Sequence, residues 1–313
     1  MEAVFVLALA LTIDLTLGEP PLPIHPVVWM GKTAGWMIKG GRRFTPAFQF
    51  VYGTFVVLLT IAMFALPTYF LLAYLRGVNV VVYVLVSAVI LKTTFSLREL
   101  RRAANRVKRR LLEDRLPEAR FELRALVKRN TSQLTDRQVV SAAVESVAEN
   151  ACDSFVAPLF YFLFLGIPGA MAFRVINTLD AMIGYHGEFE YLGKSAARLD
   201  TVANFIPARI TALLIVLAAA VQRRHASKAW RIALRDRRKT ESPNAGWTMS
   251  AMAGALDVQL EKVGYYRLGD APAAEDALSP TTIDASTSML MVVAFISTAL
   301  VIIARVVYYY VAA

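Results

Sequence analysis

Long apolar runs alternate with short polar or basic segments along the chain, which is the pattern of a helical membrane protein. Each apolar run is long enough, or nearly so, to cross a bilayer as a helix. We therefore expect an all-α fold, a polytopic membrane helix bundle with four to six membrane segments. Residues 76–77 separate the second and third runs, which predicts a helical hairpin. The runs are residues 3–17, 50–75, 78–96, 155–175, 203–221 and 287–311.

Two basic segments interrupt the apolar pattern. Between Leu97 and Leu111, apolar residues recur at helical spacing among arginines and lysines, and Pro117 begins a second helix. Residues 97–150 therefore predict a basic amphipathic helical region, placed on the membrane surface or against the protein. Residues 222–286 open with a second basic run and continue as a polar stretch. They predict a cytoplasmic loop region with short amphipathic helices.

The distribution of lysine and arginine predicts the orientation. Cytoplasmic loops are enriched in these residues, so both basic regions and residues 18–49 are expected inside, with the N-terminus outside. Glycine and proline in "GIPG" (166–169) interrupt the fourth run, as a re-entrant hairpin requires. The side of the membrane that holds residues 176–202 stays open. We predict one integral membrane domain over residues 1–313, in the cell membrane.

Composition supports the membrane assignment and narrows the partners. The chain is 57% hydrophobic and its mean hydropathy is +0.49, values that soluble domains rarely reach. The net charge of +10 would suggest nucleic acid for a soluble protein. Here the basic runs flank apolar segments, so we expect lipid headgroups and no nucleic acid. The first residues lack a basic n-region and a cleavage site, which favours a retained helix over a signal peptide.

The single cysteine, Cys152, excludes an intrachain disulfide and a cysteine-rich zinc site. The three histidines lack metal-motif spacing. Carboxylates are more informative, because Glu145, Glu149 and Asp153 are four residues apart and would share one helix face. Three like charges on one face repel each other unless a cation or hydrogen-bond donors lie against them.

Further polar residues lie between the fourth and fifth apolar runs, where ionisable groups usually face a cavity, a partner or a ligand. The alternative is a structural network of arginines and acids that holds helices together. These residues are Arg174, Asn177, Asp180, Arg198, Asp200, Asn204 and Arg209.

Three short segments predict anion binding or turns. Arg237 and Lys239 precede Ser242-Pro243-Asn244, which suits an anionic ligand or a solvated basic tail. Arg129 and Thr131 lie near a helix start, where they suit an anion or a helix cap. His25, among prolines, is a structural residue or a proton acceptor.

Several of these stretches, taken in order, resemble the CobD/CbiB family, the adenosylcobinamide-phosphate synthases of cobalamin biosynthesis. The resemblance covers residues 11–269. Where the family has Gly-Arg-Asp-Thr this chain has Asn130 in place of the aspartate, and Glu19 replaces the aspartate of Asp-Pro-Pro. The stretches are "DLTLGEPPLPIHPVVWMGK", "RNTSQL", "AVESVAEN", "DSFVAPLFYFLFLGIPGAMAFRVINTLDAMIGY", "SAARLDTVANFIPARITAL", "SPNAGWTMSAMAGAL" and "YY".

The resemblance implies a multi-pass membrane enzyme with a cytoplasm-facing active site. It would join the free propionate carboxylate of adenosylcobyric acid to aminopropanol, or to its O-phosphate, as an amide. ATP and Mg²⁺ would drive the reaction, through an activated carboxylate such as an acyl phosphate. Expected partners include the corrinoid, the bilayer, other late cobalamin-pathway membrane enzymes and a second copy of the chain.

Roles for individual residues are hypotheses at this point. The catalytic candidates are Glu145, Glu149, Asp153 and His25. The candidates for phosphate or substrate binding are Arg129, Thr131, Asn177, Arg198, Arg237, Lys239, Asn244 and Trp247. The candidates for magnesium binding are Glu145, Glu149, Asp153, Asp180 and Asp200.

Two other functions also fit parts of the pattern. A magnesium-dependent membrane transferase acting on a diphosphate substrate would use motifs such as "NTLDAMIGY" at membrane depth. A transporter would use a broken helix at "GIPG" as its binding site. That architecture predicts two matching interrupted halves, and no internal repeat is visible in the sequence.

Overall fold

A computed structural model describes residues 1–185, 187–271 and 278–312, so His186 falls outside the described residues. The predicted all-α fold is confirmed. The helices, in chain order, are α1 (Glu2–Thr16), α2 (Pro26–Gly41), α3 (Pro46–Val78), α4 (Val80–Lys92), α5 (Leu97–Leu112), α6 (Leu116–Leu123), α7 (Asp136–Ala151), α8 (Ala157–Ile183), α9 (Lys194–Ala203), α10 (Phe205–Val221), α11 (Ala226–Asp236), α12 (Ala245–Leu256) and α13 (Pro280–Ala312). A 3₁₀ turn (Leu22–Ile24), a π-helical turn (Cys152–Val156) and two short antiparallel strands, β1 (Leu260–Lys262) and β2 (Tyr266–Leu268), complete the described structure.

The chain divides into two compact units. Unit 1 contains Met1–Ser96, Ala157–Asn204 and Leu300–Ala313. Unit 2 contains Leu97–Val156 and Phe205–Ala299. The single integral membrane domain over residues 1–313 stays a prediction.

Four helical stretches are long and apolar enough to cross a membrane, and a fifth is counted if α9 and α10 form one bent span. The described residues therefore match the predicted bundle of four to six segments. The first apolar run does not form one of these stretches. Its helix, α1, has 15 residues and is only about 22 Å long, shorter than the apolar core of a bilayer. The four stretches are Pro46–Val78, Val80–Leu112, Asp136–Ile183 and Pro280–Val311.

Unit 1 packs α2, α3 and α8 around a shared apolar core. Met30, Val56 and Leu179 are almost completely buried there. The outer face of α3 exposes large apolar side chains, among them Phe55 and Phe70. Lipid tails accept such side chains without the free-energy cost that water imposes, so this face suits a bilayer.

The hairpin of α3 and α4 is confirmed, but the predicted position of its turn is wrong. Helix α3 continues through Arg76 and Gly77 and ends at Val78. Asn79 makes the turn instead, because its backbone is extended and its side chain accepts hydrogen bonds from the backbone N–H groups of Val81 and Val82. This capping pattern starts α4 immediately.

Unit 2 contains the basic amphipathic region. Leu100, Val107 and Leu111 on α5 are buried, and α5 packs against α6 and α7. The apolar stripe of α5 therefore packs against protein within this unit. Helix α6 has Pro117 in its first turn, as predicted.

Two irregular turns interrupt the helical run from Asp136 to Ile183. The π-helical turn Cys152–Val156 adds a residue to one turn of helix. Gly166 has a φ of 68°, which favours glycine, and Pro168 follows it. The predicted interruption at "GIPG" is therefore present within α8.

Candidate active-site residues

Glu145 lies at the centre of the most connected group of predicted site residues, in unit 2. It is only 5% exposed. Its carboxylate accepts hydrogen bonds from the Ser141 hydroxyl at 2.7 Å and from the Tyr266 hydroxyl at 3.0 Å. The Arg129 guanidinium lies 3.5 Å from the same carboxylate. Buried carboxylates need such donors and opposite charges, so the partners predicted for this acid are present.

The β-hairpin explains how Tyr266 reaches α7. Strand β1 packs against α7, and the backbone N–H of Glu261 donates to the Ser141 hydroxyl at 2.7 Å. Strand β2 pairs with β1 and carries Tyr266. Burial and the neighbouring Glu145 carboxylate raise the pKa of the Tyr266 phenol, so it remains a hydrogen-bond donor at neutral pH.

Glu149 lies one helical turn after Glu145, on the same face of α7, and is half-buried. Its charge also raises the pKa of Tyr266, which places it in the same electrostatic group. Asp153 falls in the π-helical turn. The four-residue stripe is therefore regular for the two glutamates, and the extra residue of the wide turn changes its phase at Asp153.

Among residues 1–185, 187–271 and 278–312, no three histidine, cysteine or acidic side chains are grouped as a metal site. Magnesium commonly takes one or two carboxylates from the protein and its other ligands from water and phosphate oxygens. The pair Glu145 and Glu149 fits that smaller requirement. The magnesium assignments stay predictions.

The loop before α7 holds Arg129 and Thr131 differently. Arg129 is partly exposed, and its Nε atom is buried without a hydrogen-bond acceptor in the described part of the chain. Thr131 is buried and its hydroxyl donates to the backbone carbonyl of Arg120 at 2.8 Å. Thr131 therefore anchors the loop, whereas Arg129 retains donors for an anion.

A second group in unit 2 surrounds Trp247 at the start of α12. The guanidinium carbons of Arg237 and Arg209 lie 4.8 Å and 5.4 Å from the centre of the indole. Arg209 also donates to the Asn244 side chain at 3.2 Å. A side chain in place of Gly246 would collide with the backbone carbonyl of Arg237, so glycine is needed for this approach. The structure brings Arg237, Asn244 and Trp247 together and adds Arg209.

Lys239 belongs to an ion-pair network at the end of α11. Its ammonium lies 2.7 Å from Asp236, a buried acid that Arg235 also contacts at 2.8 Å. Burial opposes ionisation of Asp236, but hydrogen bonds from Arg235, Lys239 and the Gly269 N–H lower its pKa to about 2. Part of the Lys239 charge is therefore compensated within the protein.

A cavity of about 550 Å³ lies beside this network, within unit 2. Among the described residues, three cations line it, Lys239, Lys262 and Arg267, together with Tyr265 and Tyr266. The one acid of this lining, Glu261, accepts a hydrogen bond from Arg267 at 3.2 Å. Because Tyr266 also donates to Glu145, one side chain connects the basic cavity to the buried carboxylate. A phosphate-bearing ligand is the chemical class that this lining favours.

Within unit 1, predicted site residues form a group around Asp200. Its carboxylate accepts hydrogen bonds from Asn177 at 3.5 Å and from Asn204 at 3.1 Å. Asp180 follows Asn177 by three residues on α8, so both lie on one helix face. Arg198 is exposed on α9. The structure thus brings Asn177 and Asp200 together within unit 1.

His25 belongs to a cluster of buried charges in unit 1. The sequence pattern predicted a candidate role for His25 but did not predict the cluster. Its Nε2 lies 2.9 Å from Glu19. The Lys92 ammonium lies 2.8 Å from Glu19 and 3.1 Å from Asp14. Lys92 is 2% exposed and Asp14 is completely buried. The available signal was one charge inside each of two apolar runs, which predicts pairing across helices.

Burial opposes ionisation of Glu19, but hydrogen bonds from His25 and Lys92 lower its pKa to about 2. The carboxylate is therefore charged at neutral pH and holds His25 in place. The same His25 ring caps α2, because its Nδ1 accepts from the Val27 N–H at 3.1 Å.

Comparison with known proteins gives a consistent result. The sequence model of the CobD/Cbib protein family matches residues 7–307. The cobalamin biosynthesis protein CobD of Dehalococcoides mccartyi is 53% identical over 270 residues, which cover 86% of this chain and 88% of that protein. The probable cobalamin biosynthesis protein CobD of Methanothermobacter thermautotrophicus is 46% identical, with the same coverage. No solved structure matches the chain.

Proposed function

The chain belongs to the CobD/CbiB family, and from that premise we propose that it is a membrane ligase of cobalamin biosynthesis. The reaction joins the free propionate carboxylate of adenosylcobyric acid to the amine of aminopropanol or of its O-phosphate. The product is adenosylcobinamide or its phosphate. The observation that supports this most directly is the group of Glu145, Arg129 and Tyr266 beside a basic cavity.

A free carboxylate is a poor acylating agent, so the proposal includes its activation by ATP. Transfer of the terminal phosphoryl group to the propionate oxygen gives an acyl phosphate and ADP. Attack by the amine then forms the amide bond and releases phosphate. Such a reaction needs cations that hold phosphate oxygens as charge develops on them.

The cations of unit 2 suit that task. Arg237 and Arg209 flank Trp247, and Lys262 and Arg267 line the nearby cavity. Guanidinium groups bind phosphate oxygens through paired hydrogen bonds, and an indole face can stack on a planar ring. We assign phosphate and substrate binding to this surface, with Arg129 and Lys239 as further ligands.

Glu145 and Glu149 are the residues proposed to hold magnesium together with the nucleotide phosphates. When bound, Mg²⁺ would neutralise charge on the phosphate oxygens. Tyr266 and Ser141 donate to Glu145 and fix its orientation, which positions the carboxylate before any ligand arrives. Asp153, Asp180 and Asp200 stay candidates for the same task.

The amine must lose its proton before it attacks, and a carboxylate or His25 would accept that proton. His25 is engaged by Glu19 and by the start of α2. This engagement favours a carboxylate as the acceptor and a positioning role for His25.

The test is an incubation of the purified protein with adenosylcobyric acid, ATP and Mg²⁺, in separate reactions with aminopropanol and aminopropanol phosphate. Mass spectrometry should detect the amide product and the nucleotide product. Reactions without ATP, and with prenyl diphosphate in place of the corrinoid, serve as controls. Turnover of the diphosphate alone would support the transferase alternative, and uptake into sealed vesicles without product would support a transporter.

A further inference from the structure

A second, larger cavity lies in unit 1, and none of the residues proposed for catalysis lines it. It encloses about 860 Å³, within the range of ~300–1,000 Å³ typical of small-molecule sites. Its walls come from α1, α3, α4, α8 and α13. Gly166, Ile167 and Pro168 line it, so the interruption of α8 forms part of the wall.

The charge of this cavity is not balanced by its own side chains. Its acidic side chain, Glu2, pairs with Arg76 at 3.1 Å. Arg305 is the second arginine of the lining, and it forms no ion pair in the described part of the chain. Because the described lining contains two arginines and one acidic side chain, one positive charge has no counter-ion among the lining side chains.

Arg305 is held in place by weak partners. Its Nη2 atom donates to the Phe162 carbonyl at 2.7 Å, in the turn of α8 that precedes the interruption. Its guanidinium lies 5.4 Å from the centre of the Phe162 ring. Its Nε atom is buried and has no acceptor among the described residues. A guanidinium carries five N–H donors, so most of its capacity is unused.

The other lining residues are of the types that membrane proteins place beside the lipid headgroups. Tyr69, Tyr83, Tyr308 and Tyr309 line the cavity, and tyrosine is enriched where membrane helices meet water. Apolar side chains such as Leu72 continue the lining. The helices that carry them are apolar enough to cross a membrane. The cavity thus offers a cation at the rim of an apolar surface.

We propose that this cavity binds the phosphodiester headgroup of an anionic phospholipid, with Arg305 as the principal ligand. The phosphate supplies the missing negative charge and accepts hydrogen bonds from the guanidinium. The acyl chains lie along the exposed apolar faces of the helices, and the tyrosine rings contact the glycerol region.

Native mass spectrometry of the full-length protein in detergent tests this site. Phosphatidylglycerol and phosphatidylcholine are added at equal concentration to the wild type and to the Arg305→Gln, Arg305→Lys and Arg43→Gln variants. Arg43 is an exposed arginine outside the cavity, so its variant removes the same charge elsewhere. We expect the wild type, R305K and R43Q to retain phosphatidylglycerol, and R305Q to retain about tenfold less.

Other outcomes overturn the proposal. Equal retention by R305Q and the wild type removes Arg305 from the site. Equal retention of both lipids shows no selection for a net negative headgroup. Displacement of phosphatidylglycerol by millimolar inorganic phosphate identifies a soluble anion, not a lipid, as the ligand.

A second variant keeps the test decisive if R305Q does not fold. Ala73 is exposed and lines the cavity on α3, so Ala73→Trp fills space while Arg305 stays unchanged. The proposal expects phosphatidylglycerol retention to fall in A73W and to stay normal in Ala73→Ser. Unchanged retention in A73W overturns it.

Discussion

The two units bury carboxylates in contrasting ways. In unit 1, Lys92 lies within 3.1 Å of both Asp14 and Glu19, and all three side chains are mostly shielded from water. In unit 2, Glu145 is equally buried, but its arginine is 3.5 Å away and part of its neutralisation comes from hydroxyl donors. A basic cavity adjoins this second group.

This difference in pairing indicates a structural role for the ion cluster around Lys92 and a chemical role for the group around Glu145. A buried charge that is tightly paired holds helices in register and has little capacity left for a ligand. A buried carboxylate held by a distant cation and neutral donors can still take a metal ion or respond to a phosphate. The comparison predicts that changes in the Lys92 cluster affect mainly stability and changes in the Glu145 group mainly activity.

The largest effect is expected for Lys92→Met. The change leaves Asp14 and Glu19 buried without their ammonium partner, and breaking a buried pair typically costs about 3–5 kcal/mol. Thermal unfolding in detergent should show a large loss of stability. Lys108→Met is the control, because its pair with Asp284 is partly exposed and is worth at most about 1 kcal/mol. Equal losses for the two variants would contradict the contrast between the units.

Glu149→Gln should affect activity and leave folding nearly unchanged. The variant keeps the size of the side chain and removes one charge from the group around Tyr266. We expect activity to fall by about tenfold or more at limiting Mg²⁺ and to recover partly at excess Mg²⁺. The Mg²⁺ dependence of amide formation is the measurement, with the Glu113→Gln variant on unit 2 as control. An unchanged Mg²⁺ dependence would remove Glu149 from the metal-binding set.

Tyr266→Phe gives a smaller and more specific effect. The phenol donates one hydrogen bond to Glu145, and such a bond contributes on the order of 1 kcal/mol net, equivalent to about fivefold in rate. We expect kcat to fall severalfold, and the melting temperature to fall by no more than the loss of one such hydrogen bond. Tyr74→Phe is the control, because Tyr74 is exposed and lines neither cavity. Equal activity of Y266F and Y74F would mean that the Glu145 orientation does not matter for turnover.

The last prediction concerns the pH dependence of stability through Glu19, whose contribution is present at neutral pH and is lost on acidification. Its pKa in the folded protein is about 2, below the ordinary value of 4.5. The stabilisation is therefore complete above pH 4.5 and is lost as the pH falls toward 2. Acid unfolding curves of the wild type should be steeper in that window than those of Glu19→Gln. Glu188→Gln, at an exposed position, should keep the wild-type slope.

Sequence periodicity predicted most of the fold because it depends on local patterns. The apolar runs gave the long helices, and the stripe on α5 gave its buried face. The hairpin turn was displaced to Asn79, since an N-cap decides where α4 begins and the apolar run alone carries no such signal.

The site was predicted less completely because its contacts join distant parts of the chain. The spacing of Glu145 and Glu149 was sufficient to place both on one face of α7. Tyr266 reaches Glu145 across 121 residues, through the pairing of two short strands that have little periodicity of their own. The phase of Asp153 depends on the π-helical turn, which no helical template contains.

The wide turn at Cys152–Val156 gives this stretch a surplus of one residue over a regular helix. Its backbone is already equivalent to an α-helix that has accepted a single insertion. Removing Cys152 should let the turn tighten and keep the segment helical, whereas adding a residue there would enlarge a distortion that is already present. Natural variation in chain length is therefore expected to take the form of single deletions at this position.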